Sequence, residues 1–161
     1  NWSSYTMIRK KDFFGITTLG IFIILFDQIT KFFAREYLQT PVYINQFFSF
    51  DLSFNRGISW GVFHSNNPLY FYIIGLLIGS ILLVFGYYIY NRVNLGLSVL
   101  AESLVFFGGI SNLVDRFFYE GVVDFLAFNF RGYYFPNFNI ADVFITLGVF
   151  FMFIKIIFYE D

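Results

Sequence analysis

Four stretches of this chain, near Phe13 to Phe33, Leu69 to Tyr90, Leu95 to Asp115 and Ile140 to Phe158, are each apolar over the length of a membrane span. A bilayer core of roughly 30 Å needs about 20 helical residues to cross it, and inside it the backbone must satisfy its own hydrogen bonds. The expected fold is therefore a mainly α membrane protein, with four transmembrane helices, a small extracytoplasmic β-sheet and an outer loop. One integral-membrane domain is expected over residues 1–161. Only 13 % of the residues are charged and 58 % are hydrophobic, where a soluble domain carries roughly 25 % charge. Arg9-Lys10-Lys11 before the first run imitates a signal peptide, but the run continues past Asp27 to Phe33 with no small-x-small cleavage site. It reads as a span.

The same basic cluster places the amino terminus in the cytoplasm by the positive-inside tendency, and four spans return the carboxyl terminus there. Asn91-Arg92-Val93-Asn94 then forms a cytoplasmic turn, whereas Arg35, Arg56, Arg116 and Arg131 fall outside, against the tendency. A net charge of −1 gives no basic surface for nucleic acid. Cysteine is absent, which excludes disulfides and a thiol nucleophile. His64, the single histidine, reads as a polar loop residue, and neither a metal nor a cofactor is expected.

Between Arg35 and Pro68, Phe48, Phe50, Leu52 and Phe54 alternate with Ser49, Asp51, Ser53 and Asn55, the period of a half-buried strand. The second outer segment, Arg116 to Asn139, carries Asp124 followed by Phe125, Leu126, Phe128, Phe130, Tyr133, Tyr134 and Phe135, an aromatic belt suited to the membrane interface.

Ionisable residues inside or beside such spans need an explanation, because charge near hydrocarbon is costly. Asp27 and Lys31 stand four apart, on one helical face in the favourable order, and are expected to pair. Asp115 sits near a helix carboxyl end, where the macrodipole opposes it, so Arg116 or Lys31 must compensate it. Glu102, read as lying within the third span, is expected to snorkel. Asn139 and Asp142 have the i, i+3 spacing of a capping box ahead of the fourth span. Asp124 and Asp142 are 18 residues apart, and a folded-back outer loop brings them to one level of the membrane. Two carboxylates that meet are the minimum equipment for acid/base hydrolysis of a peptide bond.

Five motifs, Asp27-Gln28-Ile29-Thr30-Lys31, Asn55-Arg56-Gly57, Asn112-Leu113-Val114-Asp115-Arg116, Gly121-Val122-Val123-Asp124-Phe125 and Phe138-Asn139-Ile140-Ala141-Asp142, occur in order along nearly the whole chain. In these the chain resembles the lipoprotein signal peptidase (signal peptidase II) family. The resemblance implies an aspartic endopeptidase of the bacterial cytoplasmic membrane, with its active site near the extracytoplasmic face, that cuts diacylglyceryl-modified prolipoproteins before the lipidated cysteine. It implies Asp124 and Asp142 as the catalytic pair, with supporting or substrate-binding roles for Asp27, Lys31, Asn55, Gly57, Asn112, Asp115, Arg116 and Asn139. Membrane lipid is the other expected partner, and a monomer is expected. Ser111, Ser59-Trp60 and Gly109 depart from the family's common residues, with consequences expected in the groove or in helix packing. An inactive lipoprotein- or lipid-binding homologue and a proton-coupled transporter subunit are the alternatives. A transporter, however, should spread ionisable groups through the whole membrane thickness.

Overall fold

The structure, a computed structural model, describes residues 2–57, 68–119 and 121–158; the side chains of residues 2–12 and 68 lie outside that description, as do Ser59, Trp60 and His64 altogether. In chain order the elements are α1 (Trp2–Tyr37), β1 (Val42–Tyr43), β2 (Phe48–Asn55), α2 (Pro68–Asn94), α3 (Leu100–Phe118), β3 (Val122–Phe130), β4 (Tyr133–Tyr134) and α4 (Ile140–Phe158). Among the described residues three helical stretches, Phe13–Tyr37, Leu69–Asn94 and Ile140–Phe158, are long and apolar enough to cross a membrane. Their outward faces expose Phe22, Leu25, Leu76, Leu83, Phe150 and Phe153, the pattern of helices solvated by hydrocarbon rather than water.

The remaining helix, α3, packs against α1, α2 and α4 and turns Ser103, Ser111 and Asp115 inward. It begins at Leu100 rather than Leu95, because α2 runs on to Asn94. The turn that follows holds Gly96 at φ 74°, a left-handed conformation that glycine adopts without a Cβ clash. This later start corrects the expectation for Glu102. It falls in the first turn of α3, is 3 % exposed, and is ion-paired to Arg92 of α2 at 3.4 Å and Lys155 of α4 at 3.8 Å. It does not snorkel because its cationic partners come to it.

Helices α3 and α4 approach closely at Gly108 and Gly148. A Cβ on Gly108 would lie 2.7 Å from Ile145 and 2.8 Å from the Ala141 carbonyl, and one on Gly148 would lie 2.7 Å from the Ala101 carbonyl.

The four strands form one antiparallel run in the order β1-β2-β3-β4. In β2 the register shifts between Phe50 and Ser53, so that Phe50 faces Leu126 but Ser53 faces Asp124 and Asn55 faces Val122. The one extra residue is a bulge, and it reverses which side chains share a face. Asn55 thereby joins the face of Asp124, and Phe54 leaves the core at 47 % exposure. Simple alternation would have put Asn55 on the other side.

The expected outer loop contains the nine-residue strand β3, in which Val122 through Leu126 are all buried. A strand covered on both faces shows no polar alternation, so its sequence does not announce it. Phe125 and Leu126 form a core with Ala34, extended by Leu38, Phe48, Phe50, Leu52, Phe138 and Ile140. The aromatic belt is therefore divided, since Tyr133 and Tyr134 remain exposed. Arg131 and Gly132, both at positive φ, close the two-residue hairpin from β3 to β4. The chain then returns along β3, where the Phe138 amide donates to the Leu126 carbonyl at 3.0 Å and the Phe125 amide to the Phe138 carbonyl at 3.0 Å.

Candidate active site

That return segment delivers the start of α4 to the side of Asp124. Asn139 caps the helix as its spacing predicts: the Asp142 amide donates to Asn139 Oδ1 at 2.9 Å, and the Asn139 amide donates to Asp142 Oδ2 at 3.2 Å. The capping box fixes the Asn139 side chain, and its Nδ2 donates to Asp124 Oδ1 at 2.7 Å. One asparagine thus holds both aspartates. Asn112 supports the second of them, with Nδ2 donating to Asp142 Oδ1 at 2.8 Å. Its Oδ1 accepts from Lys31 Nζ at 2.9 Å and from Asn139 Nδ2 at 3.0 Å.

Asn55, brought over by the bulge, hydrogen-bonds the Asp124 carboxyl. Its own Oδ1 accepts from the Gly57 amide at 3.0 Å, which turns the amide nitrogen toward Asp124. Asn55, Asn112, Asp124 and Asp142 together line a pocket of about 420 Å³ whose other walls include Val122, Phe128, Phe138 and Ile145. Burial, then the charge of Asp142, push the Asp124 carboxyl up to about 7, against the opposing hydrogen bonds from Asn139 and Asn55 and the charge of Lys31. A group that titrates there can hold or release a proton near neutrality.

Behind the pocket lies a buried ionic cluster. Lys31 Nζ is 2.7 Å from Asp27 and 2.8 Å from Asp115, so it pairs directly with both carboxylates, while the charge of Arg116 also acts on Asp115. Two negative charges against one positive require further donors. Asp27 accepts from the Ala141 amide at 2.8 Å and from Ser111 Oγ at 2.7 Å. Asp115 accepts from the Val123 amide at 3.0 Å and from Gln28 Nε2 at 2.8 Å. Asp27 is in this way tied to the first turn of α4, and Asp115 to β3 beside Asp124. The cluster sets the spacing of the elements that carry the two aspartates.

Arg116 feels the charges of Asp124 and Asp115 and meets Gly57 beside the cluster. The guanidinium donates to the Gly57 carbonyl and lies 5.1 Å from the centre of the Phe71 ring. It anchors the chain just after Asn55 to α3 and α2.

Sequence reasoning missed Gln28 as a contributor and expected Ser111 to act only in the groove or in helix packing. Gln28 donates to Asp115 and to Ser111, and its signal was present as a second polar residue beside Asp27 in an apolar run. Ser111 is fully buried and serves the ion cluster rather than the groove. Only the packing of α3 on α1 reveals this.

A family model described as Signal peptidase (SPase) II matches residues 19–158. The lipoprotein signal peptidase of Clostridium tetani (strain Massachusetts / E88) is 38 % identical over 146 residues, covering 88 % of this chain and 90 % of that protein. That of Staphylococcus aureus (strain JH9) is 36 % identical over 146 residues, covering 88 % of each. Two solved structures of a bacterial membrane enzyme, obtained by the in meso method at 2.3 and 1.9 Å resolution, each give a TM-score of 0.71 at 31 % identity. They cover 89 % and 91 % of this chain and 87 % and 94 % of theirs. With its ordered motifs, its fold and its matched length, this chain belongs to the signal peptidase II family.

Proposed function

We propose that this chain is an aspartic endopeptidase that removes the signal peptide from diacylglyceryl-modified bacterial prolipoproteins, cutting before the lipidated cysteine, with Asp124 and Asp142 as its catalytic pair. The observation that carries this reading is that both carboxylates line one pocket and are bonded by the same asparagine.

Asp124, titrating near 7, is the acid. Asp142 uses both oxygens as acceptors at the amino end of α4, where the helix dipole favours negative charge, and is the base. A water between them gives a proton to Asp142 and attacks the scissile carbonyl while Asp124 protonates the carbonyl oxygen. The tetrahedral intermediate then collapses as the proton held by Asp142 passes to the leaving amine and one hydroxyl of the intermediate returns its proton to Asp124. Water is consumed, the peptide bond breaks, and the pair returns to one shared proton. Asn55, Asn112 and Asn139 position this unit without adding a charge that would disturb the proton.

The topology belonging to this reading has α3 as a fourth span, both termini in the cytoplasm, and the sheet with the pocket at the extracytoplasmic face of a bacterial inner membrane. Residues 1–161 act as one domain, as a monomer, without metal or cofactor. The substrate approaches sideways from the lipid, its diacylglycerol chains remaining in the membrane.

The test uses purified protein in detergent with a lipidated precursor and follows release of the shorter product by mass spectrometry. Wild type should cleave before the lipidated cysteine, and Asp124→Asn and Asp142→Asn should each abolish cleavage while remaining folded. Normal processing by either variant would remove the pair from the mechanism. A wild-type chain that binds precursor without cutting it would be an inactive homologue.

A further inference from the structure

A second cavity, of about 440 Å³, lies where Gly15, Ile16 and Leu19 of α1 meet the turn at 96–99 and the first turn of α3. It is at the other end of the bundle from the aspartates, since 16 residues of helix separate Gly15 from Lys31, about 24 Å of rise. The structure assigns to this cavity the phosphate group of a membrane lipid head group.

Three features carry the assignment. Helix α3 starts at the cavity with Val99 as its N-cap and no side-chain cap. The Ser103 amide makes the first intrahelical bond, to the Val99 carbonyl at 2.8 Å, so the amides of Leu100, Ala101 and Glu102 have no acceptor within the helix. Ser103 itself lines the cavity, is fully buried, and its Oγ has no hydrogen-bond partner among the described residues. A buried hydroxyl without a partner is costly, so an acceptor supplied from outside the chain would be stabilised there.

Charge decides the kind of acceptor. Arg92 and Lys155 face the single carboxylate of Glu102, two cations to one anion, and Lys155 Nζ donates at 3.3 Å to the carbonyl of Ser98, a wall residue. The helix amino end adds its own partial positive charge. In sequence, Arg9-Lys10-Lys11-Asp12 precedes Gly15 with a further excess of cations. A neutral acceptor would leave this field unanswered, whereas a phosphate diester answers it and accepts from Ser103 and the free amides together. The cavity far exceeds the roughly 30 Å³ of one water. Among the described residues no cation lines the cavity itself; Arg92 and Lys155 stand behind its wall, and lipid head groups are held where such cations adjoin a pocket between helices.

The experiment measures lipid retention by native mass spectrometry of the whole protein in detergent, titrated with dioleoylphosphatidylglycerol, dioleoylglycerol or inorganic phosphate. Wild type should retain one phosphatidylglycerol that dioleoylglycerol does not displace. Ser103→Ala should weaken retention about tenfold, as expected for loss of one hydrogen bond to a charged group. Gly15→Leu should weaken it as well, because Gly15 lines the cavity and a Cβ added there meets nothing within 4 Å, leaving room for the larger side chain to take up part of the space. Thermal melting without added lipid should show both variants folded; either folded variant alone suffices for the comparison. Equal retention by wild type and a folded variant, or displacement by dioleoylglycerol, would overturn the assignment. Displacement of the lipid by millimolar inorganic phosphate would assign the site to free phosphate and overturn the lipid source.

Discussion

Asp124 is buried on a strand, faces a second carboxylate, and is pushed up to about 7 from its ordinary value of 3.8. Below that pH it carries the proton that the proposed acid must donate, so turnover of a lipidated precursor should fall as pH rises through about 7. Stability moves the same way. With its folded-state value above its unfolded one, the group imposes no penalty below about pH 4, and stability declines as pH rises from there to about 7, then levels off. Melting curves across that range should show a slope in wild type that is reduced in Asp124→Asn. An identical slope would mean that Asp124 does not titrate there. The Asp124→Asn, Asp142→Asn double variant should be no slower than either single variant, because either loss disables the same unit. A further large loss in the double variant would mean that the two act independently.

At the scale of elements, the ion cluster and the glycine contacts decide how α1, α3, α4 and β3 meet. Lys31→Ala leaves Asp27 and Asp115 without their shared cation and should destabilise the protein by about 3–5 kcal/mol, the usual result of removing one partner from a buried pair. Thermal denaturation in detergent reads this directly. An unchanged melting temperature with lost turnover would place Lys31 in the chemistry, acting through Asn112 on Asp142. Gly108→Val adds bulk against the Ala141 carbonyl, one residue before Asp142. Overpacking of this kind costs about 1–3 kcal/mol, and the displaced first turn of α4 should lower kcat more than it raises KM. An unaltered kcat would show that the position of Asp142 tolerates the shift.

The whole molecule places its polar groups unevenly, with Asp124, Asp142, their asparagines and the Lys31 cluster at one end and the Glu102 pairs with the Ser103 cavity at the other. The proposed orientation predicts opposite accessibility for the two ends. Because the chain has no cysteine, single replacements report it without background. Tyr43→Cys, in strand β1 of the sheet, and Leu97→Cys, in the turn before α3, are both exposed positions. In intact cells stripped of their outer barrier, a membrane-impermeant maleimide should label Tyr43→Cys and leave Leu97→Cys unlabelled until the membrane is opened. The reverse result would invert the topology.

Local chemistry was enough to identify three of the four expected apolar spans, the Asp27–Lys31 pair, the capping box of Asn139 and Asp142, and the two aspartates that line one pocket. Each depends on residues within a few positions of one another or on the cost of charge in hydrocarbon, so the sequence carries it openly. Tertiary structure alone decided that β3 is a strand, since burial on both faces erases alternation, and that a bulge in β2 turns Asn55 to Asp124. It also decided that Lys31 serves Asp115 as well as Asp27, that Ser111 donates into that cluster, and that Glu102 meets Arg92 and Lys155. These partners lie tens of residues apart on different helices. Which of several available groups neutralises a buried charge depends on how the elements pack, and no local pattern encodes that choice.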